Sequence, residues 1–323
     1  MKVIIDFIRL VRFPNLIIIF LTQYAIRFGI IQPFLKQVDL DLFMSEKLFF
    51  LLAVATILIA AAGYIINDYF DIKLDLINKP KKLIIGNSIS RRYAMLWHTL
   101  LNIAGIALAA YVAIAIKHPL LVFIQIICSA LLWYYSVKFK KQVLVGNVLI
   151  AVLTALVPFT AGYYELAVMY DTIGESVYDT NLKYMLFDMK YLLYWIIGYS
   201  AFAFLLTMIR EIAKDMEDIE GDKAFNCKTL PIVHGIDFSK RIAIGISVFT
   251  FLWILSLEFM QVLSGDFISF AYFTFFISFP LIFVIYRTAK AQTKKDFFII
   301  SQSIKVIMLL GILYTLVIYF FQT

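Results

Sequence analysis

The feature that most constrains the fold of this chain is its near-continuous succession of long apolar runs, such as LFFLLAVATILIAAAGYII over residues 48–66. A run of about 20 apolar residues crosses a bilayer as a helix. Hydrophobic residues make up 63% of the chain and charged residues 16%, whereas soluble domains have about 45–50% and about 25%. The sequence therefore predicts an all-α integral membrane protein.

We predict nine transmembrane helices in a single membrane-embedded domain over residues 1–323. Their expected bounds are about 15–35, 47–67, 93–116, 119–138, 143–164, 189–211, 241–263, 267–287 and 297–321. The preceding segment MKVIIDFIRLVRF has polar residues on one helical face and apolar residues on the other. It is predicted to form a short helix at the membrane interface.

The basic residues are distributed unevenly between the two sides of the predicted spans. Most of the 29 lysine and arginine residues fall in the N-terminal segment and in the even-numbered connections. The positive-inside rule places these segments in the cytoplasm, and we expect a protein of the cell inner membrane. The net charge of +7 follows from this distribution. It gives no indication of a nucleic acid partner, and no protein partner is inferred.

An acidic motif, NDYFDIKLD, begins at Asn67 and directly follows the second predicted span. If the helix continues through it, Asn67, Asp71 and Asp75 lie four residues apart on one face. They then form a column about 12 Å long. Asp68 points in another direction.

A second acidic motif follows the sixth predicted span, in REIAKDMEDIEGDKAFNCKTLP. Asp218 and Asp222 are again four residues apart, and Asp215 is expected close to the same face. The repetition predicts two four-helix halves, about 12–141 and 142–290, with a ninth helix at about 296–321. We expect the two acidic columns to face each other across a central cavity that cytoplasmic loops cap.

Crowded carboxylates repel one another, so a bound cation is expected to neutralise them. Oxygen ligands suit Mg²⁺, which binds few carboxylates and often bridges them to substrate phosphates. Two acidic columns flanked by lysine and arginine therefore predict a Mg²⁺–diphosphate site. One alternative is solvated charges at helix ends. Another is a transporter whose acids bind a coupling cation, although these acids lie at helix ends rather than at the membrane midplane.

The motifs together resemble those of the UbiA family of intramembrane prenyltransferases. Asn67-Asp68-x-x-Asp71-x-x-x-Asp75 is similar to the first family motif, and Asp218-x-x-x-Asp222 is similar to the second. Further similar segments begin at Arg12 (RFPN), Tyr135 (YSVKFK, followed by Gly146-Asn147) and Thr229 (TLP). The resemblance covers essentially the whole chain. It implies a helical bundle around a central cavity and a Mg²⁺-dependent diphosphate site.

The resemblance also implies roles for individual residues. Magnesium ligands would be Asn67, Asp71, Asp218 and Asp222, with Asp215 beside them. Asp68 and Asp75 would support these ligands, and either is a candidate to take the acceptor's proton. Lys140 and Tyr135 would also be catalytic residues, although Tyr135 lies five residues before Lys140 and the family often has a tyrosine four residues before this lysine. Candidate contacts of the diphosphate are Lys79, Lys82, Lys138, Lys140, Arg210 and Lys214.

The resemblance implies transfer of a prenyl group from an isoprenyl diphosphate, best matched by geranylgeranyl diphosphate, to a lipophilic acceptor. The second motif is most similar to the digeranylgeranylglyceryl phosphate synthase branch, which favours a glyceryl phosphate hydroxyl as acceptor. Aromatic quinone precursors are an alternative acceptor class. A terpene synthase that ionises and cyclises the diphosphate without an acceptor is another alternative.

A polar pair also lies within the first predicted span. Gln23 and Arg27 are four residues apart and share one helical face. An arginine within an apolar span is expected to face the protein interior or to extend toward the membrane surface. We favour a structural role for Arg27 over binding of the acceptor.

Overall fold

The structure is a computed structural model that describes residues 2–37, 39–78, 83–174 and 180–321. For Lys2, residues 173–174 and residues 180–188 it describes the helical backbone alone. The helices in chain order are α1 (Lys2–Leu10), α2 (Phe13–Ile26), α3 (Gln32–Lys36), α4 (Glu46–Asn78), α5 (Arg91–Ala115), α6 (Val122–Val137), α7 (Val145–Gly174), α8 (Thr180–Glu217), α9 (Ile219–Ala224), α10 (Leu230–His234), α11 (Ile236–Ser264), α12 (Phe267–Phe273), α13 (Phe279–Lys290) and α14 (Lys294–Phe321). Within the described ranges the chain has no β-strand, which agrees with the predicted all-α class.

Nine helical segments of the described chain are long and apolar enough to cross a membrane, as predicted. They are Phe13–Lys36, Glu46–Asn78, Arg91–Ala115, Pro119–Val137, Val145–Thr172, Met189–Glu217, Ile236–Ser264, Phe267–Lys290 and Lys294–Phe321. Several extend beyond the predicted bounds, because a helix continues past its apolar part once it has formed. The 33 residues of α4 span about 50 Å, and its last turns carry the first acidic motif.

The chain divides into two compact units. Unit 1 comprises Met1–Val137 and Leu156–Ser200, and unit 2 comprises Lys138–Ala155 and Ala201–Phe321. The core of unit 1 includes Leu10, Leu16, Ile65, Ile85 and Ala94. The core of unit 2 includes Ile209, Ile212, Leu281, Ile300 and Ile304. The predicted repeat halves, central cavity and cap loops stay predictions.

The N-terminal segment forms α1, as the sequence predicts. Phe7 packs against Trp97 of α5 with ring centroids 5.2 Å apart. The side chains of Val3, Ile4, Ile5 and Ile8 are exposed. This apolar exposed face is compatible with the predicted position at the membrane interface.

Two π-helical turns, Arg27–Ile31 and Thr274–Ser278, interrupt membrane-spanning helices. In each, the N–H that follows the turn bonds to the carbonyl five residues back. A proline, Pro33 or Pro280, comes next in the chain. Proline has no N–H, and its ring clashes with the carbonyl four residues before it. The wider turn accommodates that ring, so the sequence around each proline accounts for the irregularity.

Glycines allow helices to approach closely inside unit 1. A Cβ on Gly162 of α7 would lie 2.4 Å from Ile196 Cδ1 of α8. Ile196 is fully buried, and three of its side-chain atoms lie within 3.0 Å of that position. Membrane helices pack through small residues because close backbone approach maximises dispersion contacts.

Substitution tests this packing directly. We expect Gly162→Ala to destabilise the protein by about 1–3 kcal/mol, because the branched side chain of Ile196 cannot move aside without repacking. The measurement is the Tm of purified protein in detergent. Gly198→Ala in α8 is the matched control, since no atom of the described residues lies within 4 Å of its Cβ position. Its Tm should be unchanged or raised, and equal losses in both variants would contradict the close approach.

Candidate active site

The first acidic set, Asn67, Asp68, Asp71 and Asp75, lies on the last three turns of α4. The helix is continuous through residue 78, so the predicted spacing holds and three of these residues share one face. All four side chains are half-buried. The set belongs to unit 1.

Arg12 is the partner of Asp68. Its Nη2 donates to Asp68 Oδ1 at 2.8 Å, and its guanidinium lies 4.8 Å from the centre of the Tyr64 ring. Burial of Arg12 opposes its charge, but the Asp68 carboxylate and the Tyr64 side chain outweigh burial, so the pKa of Arg12 is raised. Asn15 Nδ2 reaches the Tyr64 hydroxyl at 3.4 Å. Four side chains from α4 and the start of α2 therefore form one polar group.

The backbone of Arg12 is in the left-handed region, with φ 51° and ψ 51°. This conformation is uncommon for a residue other than glycine and persists where surrounding contacts hold it. It forms the corner between α1 and α2 and directs the guanidinium toward α4. In the sequence, Arg12 stands out only as part of the RFPN segment that is similar to the family, and no pattern there indicates its pairing with Asp68.

The side-chain amide of Asn67 has one hydrogen-bonded end and one end without a partner among the described residues. Its side chain forms a hydrogen bond with Asp68. Its Oδ1 is buried and accepts no hydrogen bond from the described residues. A buried acceptor of this kind calls for a donor or a cation. The oxygen therefore fits the predicted role of Asn67 as a magnesium ligand.

The second acidic set, Asp215, Asp218 and Asp222, belongs to unit 2. Here the prediction of a continuous column is wrong. α8 ends at Glu217, and Asp218, with φ −99° and ψ 11°, separates it from the short helix α9. Asp favours such a position at the start of a helix, because its side chain competes with the backbone of a helix interior. The Asp222 N–H still bonds to the Asp218 carbonyl at 3.2 Å.

Asn147, at the start of α7, was not among the predicted site residues. It is buried, and its Nδ2 donates to Asp215 Oδ2 at 2.8 Å. Glu211 accepts from Arg210 Nη1 at 2.6 Å and from Lys214 Nζ at 2.8 Å. The predicted diphosphate contacts Arg210 and Lys214 are thus held by one carboxylate. The Gly146-Asn147 pair, which is similar to the family's segment at this position, is the sequence signal that points to Asn147.

Lys140 lies in a 3₁₀ turn, Phe139–Lys141, where it is half-buried and Lys138 is exposed. A Cβ on Gly146 would lie 2.8 Å from Lys140 Cα, so only glycine lets the turn pack on the start of α7. The Lys228 N–H donates to the Lys141 carbonyl at 2.8 Å. The turn is therefore tied to the loop that follows Asp222.

The remaining predicted residues fall in different places. Tyr135 lies on α6 in unit 1, half-buried, and interacts electrostatically with Arg12. Lys79 and Lys82 lie outside the described residues.

The donor chemistry is compatible with magnesium. Within the described ranges, no three Asp, Glu, His or Cys side chains converge on a single point. Mg²⁺ does not need such a cage, because it commonly keeps several waters and binds one or two carboxylates plus substrate phosphates. Within each set, the amide and carboxylate oxygens, with lysines close by in sequence, suit that mode of binding.

The fold and the site define a polytopic, all-helical membrane protein with carboxylates concentrated at helix ends. The model of the UbiA prenyltransferase family matches residues 37–318. The chain belongs to the UbiA prenyltransferase family.

Three relatives are named digeranylgeranylglyceryl phosphate synthase. The protein from Methanobrevibacter smithii is 33% identical over 66% of this chain and 65% of its own length. The protein from Thermococcus sibiricus is 35% identical over 58% of this chain and 57% of its own length. The protein from Methanosphaera stadtmanae is 30% identical over 77% of this chain and 80% of its own length. The chain thus spans less than two thirds of the first two relatives.

Solved structures agree with the fold. A structure of digeranylgeranylglyceryl phosphate synthase has a TM-score of 0.60 and 24% identity, with 98% of each chain covered. A UbiA homolog from Archaeoglobus fulgidus, bound to DMAPP and Mg²⁺, has a TM-score of 0.59 and 18% identity. The matched region covers 97% of this chain and 99% of the homolog. At these identities the likeness establishes the fold alone.

The Arg12–Asp68 pair gives a test of the site's architecture. In a double-mutant cycle with Arg12→Gln and Asp68→Asn, we expect a coupling of about 1.5–3 kcal/mol in the free energy of unfolding, because both groups are charged and hydrogen-bonded. Chemical denaturation in detergent measures it. Arg9 and Asp6 form the matched control: they lie 3.8 Å apart and the Arg9 side chain is 71% exposed, so their coupling should stay below about 1 kcal/mol. Equal couplings would contradict the special role of Arg12.

Proposed function

We propose that this protein is a Mg²⁺-dependent prenyltransferase that transfers the prenyl group of geranylgeranyl diphosphate to the hydroxyl of a geranylgeranylglyceryl phosphate-like lipid. Membership of the UbiA prenyltransferase family supports the reaction class. The names of the relatives support the acceptor class. The observation that carries the proposal is the pair of acidic sets at helix ends of an apolar protein, where a polar head and an oily tail can both be accommodated.

In this proposal the magnesium ligands are Asn67, Asp71, Asp218 and Asp222, with Asp215 beside them. The buried Oδ1 of Asn67, which accepts no hydrogen bond from the described part of the chain, supports its assignment. Asp215 is held by Asn147 and so contributes mainly to the position of the set. When bound, Mg²⁺ supplies positive charge that stabilises the departing diphosphate.

Basic side chains bind the oxygens of the diphosphate in this proposal. Lys140 is the principal one, because its turn packs on α7 next to Asn147. Lys138 is exposed at the same turn, and Arg210 and Lys214 are held by Glu211. Lys79 and Lys82, outside the described residues, stay predicted contacts.

The transfer breaks the bond between C1 of the prenyl group and the diphosphate oxygen, and the electron pair leaves with the diphosphate. The hydroxyl oxygen of the acceptor forms the new bond to C1. Its proton passes to Asp68 or Asp75. Asp68 is held in place by Arg12. Tyr135 interacts with Arg12 and helps to orient the Arg12 guanidinium. The lysines proposed to bind the diphosphate stay in contact with it after the bond breaks and neutralise its charge.

We place the N-terminus and the acidic motifs on the cytoplasmic side of the cell inner membrane. The excess of basic residues in the N-terminal segment and the even-numbered connections supports this orientation. A cytoplasmic site gives a water-soluble diphosphate head direct access to the acidic sets.

The first experiment measures the reaction itself. Purified protein in lipid nanodiscs is given geranylgeranyl diphosphate and geranylgeranylglyceryl phosphate, with Mg²⁺ or with EDTA. We expect diphosphate release and an ether product, detected by mass spectrometry, in the reaction with Mg²⁺ and not in the reaction with EDTA. Ion flux without any release of diphosphate would instead favour the transporter alternative.

A panel of acceptors then separates the alternatives. The arms are geranylgeranylglyceryl phosphate, 4-hydroxybenzoate, dihydroxynaphthoate and no acceptor. A product with the glyceryl phosphate alone supports the proposal. Prenylated aromatic products would indicate quinone synthesis, and a cyclised hydrocarbon without acceptor would indicate a terpene synthase.

Substitution of one carboxylate in each set tests the metal assignment. We expect Asp71→Asn and Asp218→Asn each to lower kcat/KM by about 10²–10³-fold, because charge stabilisation of the leaving group is lost. Mg²⁺ binding, measured by calorimetry, should weaken in parallel. Asp237→Asn, at an exposed position in the first turn of α11, is the matched control and should change neither quantity. Wild-type activity in Asp71→Asn would refute the assignment.

The lysines of the 3₁₀ turn provide a second comparison. Lys140→Gln should raise KM for the prenyl diphosphate about tenfold to a hundredfold, the equivalent of one charge-assisted hydrogen bond. Lys141→Gln should have little effect, because the Lys141 side chain is exposed and its main chain, rather than its side chain, makes the bond to Lys228. Steady-state kinetics at saturating acceptor measures both. Equal effects of the two changes would point to a general electrostatic contribution rather than a contact of Lys140.

A further inference from the structure

Unit 1 contains a second group of buried polar side chains, remote from the acidic sets. Gln23 and Arg27 lie in the first membrane-spanning segment, and Glu165 lies on α7. Their exposed fractions are 0%, 2% and 0%. Arg27 follows Arg12 by fifteen residues, about 22 Å along a helix axis. Polar groups buried at this depth require an explanation, since an isolated charge inside a membrane protein is costly.

Two of these side chains hold the main chain of Met44, in the segment between α3 and α4. The Met44 N–H donates to Glu165 Oε1 at 2.8 Å. Its carbonyl accepts a short hydrogen bond from Arg27 Nη2. Met44 is itself 2% exposed. Non-helical backbone inside a membrane protein needs such partners, so part of the explanation is structural.

The clamp on Met44 leaves other polar atoms of the group unsatisfied. Gln23 Oε1, Arg27 Nε, Arg27 Nη1 and Glu165 Oε2 are buried and meet no partner in hydrogen-bonding geometry among the described residues. The Glu165 carboxylate also interacts with the main chain of Phe43, the residue before Met44. Arg27 Nε lies 3.8 Å from Glu165 Oε2, and Arg27 Nη1 lies 3.5 Å from Glu46 Oε2. At these separations the opposite charges attract each other, but the atoms are too far apart for good hydrogen bonds. A water molecule or another hydroxyl can bridge polar groups that lie more than about 3.5 Å apart.

The chemistry of the unsatisfied atoms defines what bridges them. They include two donors on Arg27 and two acceptors, one on Gln23 and one on Glu165. An anion would meet the Glu165 carboxylate, and a cation would meet the Arg27 guanidinium, whose one face is covered by the Phe49 ring at 4.4 Å. A small neutral group that both donates and accepts satisfies both kinds of atom. A hydroxyl group has these properties.

We propose that Gln23, Arg27 and Glu165 form a buried site for one hydroxyl-bearing ligand, either a water molecule or the hydroxyl of a membrane lipid. The ligand accepts from Arg27 Nε and donates to Glu165 Oε2 or Gln23 Oε1. Buried water in proteins typically makes about three such bonds. The site is independent of the proposed prenyl transfer and joins α2, the Met44 segment and α7 inside unit 1.

An experimental structure of the full chain in lipid nanodiscs, at a resolution that shows water, tests this directly. We expect density within hydrogen-bonding distance of Arg27 Nε and Glu165 Oε2. An isolated round peak identifies water, and density that continues into an acyl chain identifies a lipid hydroxyl. A direct hydrogen bond between Arg27 and Glu165, with no additional density, overturns the proposal.

Hydroxyl-radical footprinting gives a second measurement, because radiolysis of an ordered water oxidises a neighbouring methionine. If the ligand is water, Met44 should be labelled several-fold more than Met216, which is 1% exposed and lies in unit 2. Gln23→Leu removes an acceptor but keeps the clamp on Met44, so labelling of Met44 should fall.

Gln125→Leu is the matched control for that variant. Gln125 is also buried, but its Oε1 accepts from the Tyr164 hydroxyl at 3.0 Å. Labelling of Met44 should be unchanged in it. An isolated water peak that persists in Gln23→Leu, with undiminished labelling of Met44, would overturn the assignment of Gln23 to the site.

Discussion

The structure depends on one constraint: the hydrocarbon region of a membrane offers no hydrogen-bond partners, so buried backbone polar groups must find them inside the protein. In the described part of the chain, nine helices are long and apolar enough to span a membrane, and a helix forms its backbone hydrogen bonds within the segment itself. Where the helix is interrupted, at the π turns before Pro33 and Pro280, the bonds are lengthened by one residue rather than lost. Where helix is absent, at Met44, the side chains of Arg27 and Glu165 replace it. The same physics governs regular and irregular backbone.

Side-chain charges follow the same rule near the candidate active site. Asp68 is held by Arg12, Asp215 by Asn147, and Glu211 by two basic residues. These contacts are formed by the protein alone. A site whose supporting side chains are already fixed would need little reorganisation on binding the proposed diphosphate, which is the basis of electrostatic preorganisation. The strained backbone of Arg12 fits this view, since its conformation is held by the contacts that orient it.

The sequence predicted what depends on local pattern. Hydrophobic run lengths gave the number of spans, and the spacing of Asn67, Asp71 and Asp75 gave the column on α4. The break at Asp218 was missed, because spacing by four residues does not reveal where a helix ends. The partnerships of Arg12 with Asp68, 56 residues apart, and of Met44 with Glu165, 121 residues apart, arise from tertiary packing. Periodicity in one segment carries no information about a partner in another.

The break at Asp218 also changes how the second acidic set is held. Asp222 lies on α9, which has six residues and is too short to be stable as an isolated helix. Its position therefore rests on neighbouring contacts: the Cys227 N–H bonds to the Asp222 carbonyl, and the next residue bonds to Lys141. The 3₁₀ turn that contains Lys140 and Lys141 packs on Gly146. A lysine proposed to bind phosphate and a carboxylate proposed to bind metal are thus linked through the main chain within unit 2. Because of this link, the main chains of the two segments restrain each other.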